Sequence, residues 1–115
     1  MPDRLGDKIR LLHILDAIGE IEVYTEGVDI DAFINNSMMF NATLRQLEII
    51  GEASNRLSES ILINNPKIPW ARIIGLRNLV IHEYFGIDDF TIWNVIKINL
   101  PDLKSRVAEL VETLN

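Results

Sequence analysis

Residues 69–85 read PWARIIGLRNLVIHEYF, and this stretch decides the fold. Pro69 suits the first turn of a helix, where no intrahelical N–H partner is needed, and Gly86 ends the segment. At about 100° per residue, Ile73, Ile74, Leu76, Leu79, Val80, Ile81 and Phe85 fall on nearly every side of that helix. A helix without a wet face belongs in an interior or at a subunit interface. Into it are set Arg77, Asn78, His82 and Tyr84. Arg77 and Tyr84 share one face, and Asn78 and His82 share another. Arg77 and His82 lie about 140° apart around the axis, so they straddle a groove. Buried polar groups of this kind cost free energy unless they are paired. Four together call for a polar network or a ligand.

Helical spacing continues outward in both directions. Upstream, a first helix is expected from Asp3 to Glu26, with an apolar stripe through Leu5, Ile9, Leu12, Leu15 and Ile18. Leu11, Ile14 and Ile21 widen that stripe, and Gly27 stops the helix. A short helix over Ile30 to Asn35 is capped by Asp29. A longer one is expected from Ser37 to Ile63, its stripe including Met39, Leu44, Leu47, Ile50, Leu57 and Ile61. Gly51 sits within it. A mid-helix glycine costs about 1 kcal/mol against alanine, so Gly51 implies the close approach of another backbone. Downstream, Asp88 or Asp89 caps a helix running to Asn99. Pro101 marks a kink or a fresh start before a last helix ending near Leu114; it pushes Leu100 away from the helical region, which favours a break there over one straight helix. The pattern predicts an all-α, antiparallel bundle of four to five helices, one domain over residues 1–115.

Composition narrows the function classes. The chain has 48% apolar residues, which excludes wholesale disorder. It has no cysteine, hence no disulfide and no thiolate site, and its two histidines cannot build a His-rich metal site. No cofactor or metal is expected. No apolar run is long enough to span a membrane, and the first residues do not read as a signal peptide, so a cytoplasmic location is expected. The net charge of −6 speaks against a broad electrostatic grip on nucleic acid. Phosphate would have to be attracted locally, by Arg77, Arg72, Lys67 and Arg45.

The string Arg77-Asn78-Leu79-Val80-Ile81-His82-Glu83-Tyr84 has the form R-x4-H-x-Y, with Asn directly after Arg. It resembles the signature of the HepT-like branch of the HEPN superfamily. Ile50-Gly51-Glu52-Ala53-Ser54, Ile68-Pro69-Trp70, Ile74-Gly75-Leu76 and Tyr84-Phe85-Gly86-Ile87-Asp88 continue the likeness, with Trp93 and Leu100-Pro101 beyond. It covers Gln46 to Leu103 well and the first helix by pattern only.

The resemblance implies a homodimer through the motif helix, with R-x4-H groups from both chains meeting in one composite site. It implies a metal-independent ribonuclease, the toxin of a type VII-like toxin–antitoxin pair. Its partner would be a nucleotidyltransferase (MntA-like) antitoxin that transfers AMP to Tyr84. The residue types suit that chemistry. Histidine titrates near neutral pH, so His82 can act as general base or acid. Arg77 is always charged and forks two phosphate oxygens. Asn78 would orient His82 or the phosphate. The alternative is a non-catalytic helical partner or substrate of a minimal nucleotidyltransferase.

Other residues carry less. Glu52 can support the site by facing Arg77, or pair with Arg56 four residues on along the helix surface. Asp88 and Asp89 read as caps, His13 as structural, and Trp70 and Trp93 as core packing.

Overall fold

The computed structural model of the chain describes residues 3–79 and 88–115. Among these residues the structure is all-helical, without a strand. Helix α1 spans Arg4–Thr25, α2 Ile30–Ile34, α3 Ser37–Asn55, α4 Glu59–Asn64 and α5 Trp70–Gly75. A single 3₁₀ turn, Leu76–Asn78, follows α5 directly. Helix α6 spans Asp89–Asn94 and α7 Leu100–Thr113, joined through a π-helical segment at Val95–Asn99.

The caps are those the sequence supplies. The Asp3 carboxylate accepts from Gly6 N–H, that of Asp29 from Ala32 N–H, and that of Asp88 from Phe90 N–H. Gly27 closes α1 with a φ of 69°, a left-handed conformation that glycine adopts at no steric cost.

Helix α1 packs along α3 and α7, and runs antiparallel to both. Tyr24 near its end meets Gln46 early in α3, while Asp7 at its start meets Ser58 beyond the end of α3. Arg4 donates to the backbone oxygens of Thr113 and Leu114, closing off the end of α7. Lys104 and Glu22 pair at the opposite end.

Three expectations are corrected. The first concerns the stripe of α1. The inward face carries Leu11, Ile14, Ile18 and Ile21, all fully buried, whereas Leu5 is 70% exposed and Ile9 and Leu12 also reach solvent. Two apolar stripes interleave on this helix. The inward one begins with a charged residue, Asp7, which is 1% exposed.

That carboxylate also explains the second correction, a break in the helix expected over Ser37 to Ile63. Asp7 accepts from Ser58 N–H at 2.8 Å and from Ser58 Oγ–H at 2.6 Å. Arg56 and Leu57 N–H groups turn back to Ala53 and Ser54 oxygens, and Ser58 caps α4 through Ile61 N–H. Two hydrogen bonds to a buried carboxyl group compensate for ending the helix before Ser58. The expected α3 stripe otherwise holds: Leu44, Leu47, Ile50, Leu57 and Ile61 are all buried.

Third, the chain does not break at Leu100. Asn94, Asn99 and Leu100 all have right-handed helical dihedrals. Pro101 has no N–H, and its ring crowds the carbonyl four residues back, that of Lys97. The wider π turn lies just where that conflict falls and carries the helix past it. Trp70 and Trp93 pack as expected. Trp70 is buried with its Nε1–H donated to the Asn65 oxygen, and the Trp93 ring lies 5.1 Å from that of Phe33.

Candidate functional site

The site is built around Arg77, and a glycine places it. Helix α3 packs against α5 and the 3₁₀ turn at its small-residue stretch. A Cβ on Gly51 would lie 2.5 Å from the Arg77 backbone nitrogen, 2.9 Å from the Ile73 oxygen and 3.1 Å from the Ile74 oxygen. All three are backbone atoms, so none can swing aside. The close approach anticipated for Gly51 is therefore the motif backbone itself. Ser54, fully buried one turn later, returns its hydroxyl to the Ile50 oxygen at 2.8 Å and adds no bulk on that face.

The straight helix expected over Pro69 to Phe85 is modified where it is described. Pro69 is the cap of α5 rather than part of its first turn, and the helix tightens into the 3₁₀ turn at Leu76–Asn78. A tighter turn changes the angular spacing of Arg77 and Asn78 from that of a regular α-helix. Trp70 and Ile73 are buried, Ile74, Leu76 and Leu79 half-buried, and Asn78 exposed.

Arg77 and Asn78 open onto a cleft of about 820 Å³. Helix α1 supplies one wall with Ile9, Arg10 and His13. Helix α3 supplies another with Arg45, Glu48 and Glu52, and Arg56 lies beyond its end. Four of the chain's seven arginines line this one space, in a protein of net charge −6. Two of them are committed. Arg45 pairs with Glu48, and Arg56 Nε lies 3.2 Å from Glu52 Oε1. Arg77 has no ion pair with any carboxylate among the described residues.

Glu52 is not an ion-pair partner of Arg77. It makes the surface pair with Arg56, and it lines the cleft of Arg77. Of the cations expected to gather phosphate, Arg45 is present in the cleft. Arg72 and Lys67 are not: Arg72 lines a groove against α7 beside Leu103, and Lys67 lines another with Arg106 and Thr113. Arg72 precedes Arg77 by five positions, which puts it on a different side of the helix. Arg10 and His13 line the cleft instead. His13 is not a core residue; it is exposed on the α1 wall. Sequence spacing gives Arg10 and His13 a common helix face, but only packing of α1 on α3 brings that face to the motif. His82 and Tyr84 lie outside the described residues, as does Gly86. Asp88 caps α6, through Phe90 N–H and the Thr91 hydroxyl.

Fold and cleft together define an all-α protein with an arginine-lined polar site on an R-x4-H-x-Y segment. Residues 14–110 match the family described as Ribonuclease HepT-like, so the chain belongs to that family and is a HepT-type ribonuclease. The match extends well upstream of Gln46, to the middle of α1. Among its relatives, "Putative RNase MJ1380" of Methanocaldococcus jannaschii is 40% identical over 100 residues, covering 87% of this chain and 92% of that one. "Putative RNase MJ0125" of the same organism is 35% identical over 114 residues, covering 99% and 97%. "Probable ribonuclease HepT" of Thermococcus cleftensis is 35% identical over 97 residues, covering 84% and 88%. No solved structure matches the chain. Among the described residues no helix is long and apolar enough to cross a membrane.

Proposed function

We propose that this chain cleaves RNA by internal attack of a ribose 2′-oxygen, at a composite site formed where two copies meet through the motif helix. One observation carries the reading: Arg77 stands on a backbone held against Gly51, beside Asn78, in a polar cleft where no described carboxylate neutralises it. An unpaired guanidinium carried on a closely packed backbone suits the charge that builds on a pentavalent phosphorus.

In this reading one His82 takes the proton from the 2′-hydroxyl. The 2′-oxygen bonds to phosphorus, and the bond to the 5′-oxygen breaks. The His82 of the second copy protonates that leaving oxygen. The products are a 2′,3′-cyclic phosphate and a free 5′-hydroxyl. Asn78 orients the imidazole or the phosphate. Glu52 supports the cleft wall through its hold on Arg56.

The same reading makes the chain the toxin of a toxin–antitoxin pair. An MntA-like nucleotidyltransferase transfers AMP from a nucleoside triphosphate to the Tyr84 hydroxyl, and pyrophosphate leaves. The added phosphate would sit near Arg77 and occupy the substrate's position. The test is cleavage of a labelled RNA by wild type and by His82→Ala, with the product ends analysed. The wild type should give cyclic-phosphate ends and the variant none; equal cleavage by both removes His82 from the chemistry.

A second reading is favoured by the net charge of −6, which works against RNA at long range. The chain would then be a non-catalytic partner or substrate of the nucleotidyltransferase. It predicts AMP addition at Tyr84 in a protein that leaves RNA intact.

A further inference from the structure

We propose that the α1 wall of the cleft, Arg10 with His13, is a phosphate-binding subsite that holds the RNA strand next to the bond cut at Arg77. The inference rests on the ribonuclease reading and adds to it the surface that grips the substrate.

Charge accounting within the cleft selects these residues. Arg45 is neutralised by Glu48, and Arg56 by Glu52, so the α3 wall contributes no net charge. What remains is Arg77 on one side and Arg10 on the other. Arg10 has only a loose partner: its Nη1 is 3.7 Å from Asp3 Oδ2, beyond hydrogen-bond length, with both side chains partly in solvent. The other oxygen of Asp3 is engaged by Gly6 N–H at 2.9 Å. His13 lies one helical turn beyond Arg10, is exposed, and lines the same space. The imidazole can donate to a phosphate oxygen, and Arg10 can fork two. Ile9 adds an apolar surface beside them against which a base or ribose can rest.

The two cationic walls thus face one cleft from different helices. A single phosphate at Arg77 would leave Arg10 unused, whereas a strand crossing the cleft would engage both. This also meets the objection raised by the acidic composition. Long-range repulsion is screened beyond about 8 Å at physiological ionic strength, and inside that range the two glutamates of the cleft are each matched by an arginine, which leaves Arg77 and Arg10 to face the strand.

The experiment measures binding of a fluorescein-labelled 2′-O-methyl RNA decamer, which cannot be cut by 2′-oxygen attack. Anisotropy titrations of the full chain are run at several salt concentrations, for wild type, Arg10→Gln and His13→Gln. Circular dichroism and light scattering check fold and mass. For a single strand each lost phosphate contact should make the logarithmic salt slope shallower by about 0.7. The proposal expects that change for Arg10→Gln, and weaker binding for both variants, at unchanged mass. Wild-type cleavage of ordinary RNA with identical slopes for all three proteins would overturn the subsite and leave the ribonuclease reading standing. Loss of dimer mass in either variant would also overturn it, by assigning the α1 wall to contact with a second copy. A wild type that neither binds the decamer nor cuts RNA would overturn the subsite and the ribonuclease reading together.

Discussion

At the scale of single residues, Arg77 is defined by what it lacks as much as by what surrounds it. Arg45 and Arg56 each hold a glutamate, and Arg77 has no such partner among the described residues. Lysine in its place would keep the charge but lose the fork that binds two phosphate oxygens at once. Arg77→Lys should therefore lower kcat/KM for RNA cleavage by about 10²-fold, the scale seen when one transition-state donor is removed. Melting temperature should change little, and single-turnover cleavage of a fluorogenic RNA would measure the effect. If one His82 acts as base and the other as acid, the rate should describe a bell against pH. A rate that rises steadily to alkaline pH would exclude the paired roles. Asp7 is the residue the sequence did not single out, because an aspartate in a first helical turn ordinarily reads as a dipole partner in water. Its burial follows from Ser58, fifty-one positions away, whose N–H and O–H it accepts. Asp7→Ala leaves that N–H unpaired and should cost about 1–3 kcal/mol, read from urea unfolding.

At the scale of elements, the contact between α3 and the motif segment is set by the absence of a side chain. Alanine at Gly51 gains helix propensity of about 1 kcal/mol. It also drives a methyl carbon to 2.5 Å from the Arg77 nitrogen. Overpacking against backbone costs about 1–3 kcal/mol. Gly51→Ala should thus be neutral to modestly destabilising in chemical unfolding, yet lose cleavage activity out of proportion, because Arg77 shifts with its backbone. Unchanged activity would show that the placement of Arg77 tolerates such a shift. The π segment before α7 makes a similar point about elements. Pro101 signalled a disturbance in the helix, but the sequence does not distinguish a break from a wider turn. Burial of Ile96, Leu100 and Leu103 on the core side favours continuity, since a break would pull one of them out.

At the scale of the whole molecule, the charge distribution matters more than its sum. The chain is acidic, yet its cleft holds four arginines against two glutamates, an excess of positive charge. RNA cleavage should therefore be strongly salt-dependent despite the pI near 4.8. If the active unit is a two-fold dimer whose site needs both His82 side chains, mixed dimers are dead. Equal mixing of wild type with His82→Ala, followed by subunit exchange, should leave about one quarter of wild-type activity, the share of wild-type homodimers expected at random. One half remaining would indicate sites that work within a single chain.

The all-helical class, most of the helix caps and the approximate helix spans were legible in the sequence, because spacing, capping residues and glycines act over a few positions of chain. The sequence also determined the family, through the R-x4-H-x-Y string and the segments around it, and it flagged Gly51 as a point of close approach. Only the tertiary structure decided which of two stripes on α1 turns inward, where α3 ends, and which cations share a cleft with Arg77. Those outcomes depend on groups far apart in the chain: Asp7 with Ser58, Gly51 with Arg77, and Arg10 and His13 with the motif turn. Local periodicity assigns a residue to a helix face, and the packing of one helix on another decides what that face meets.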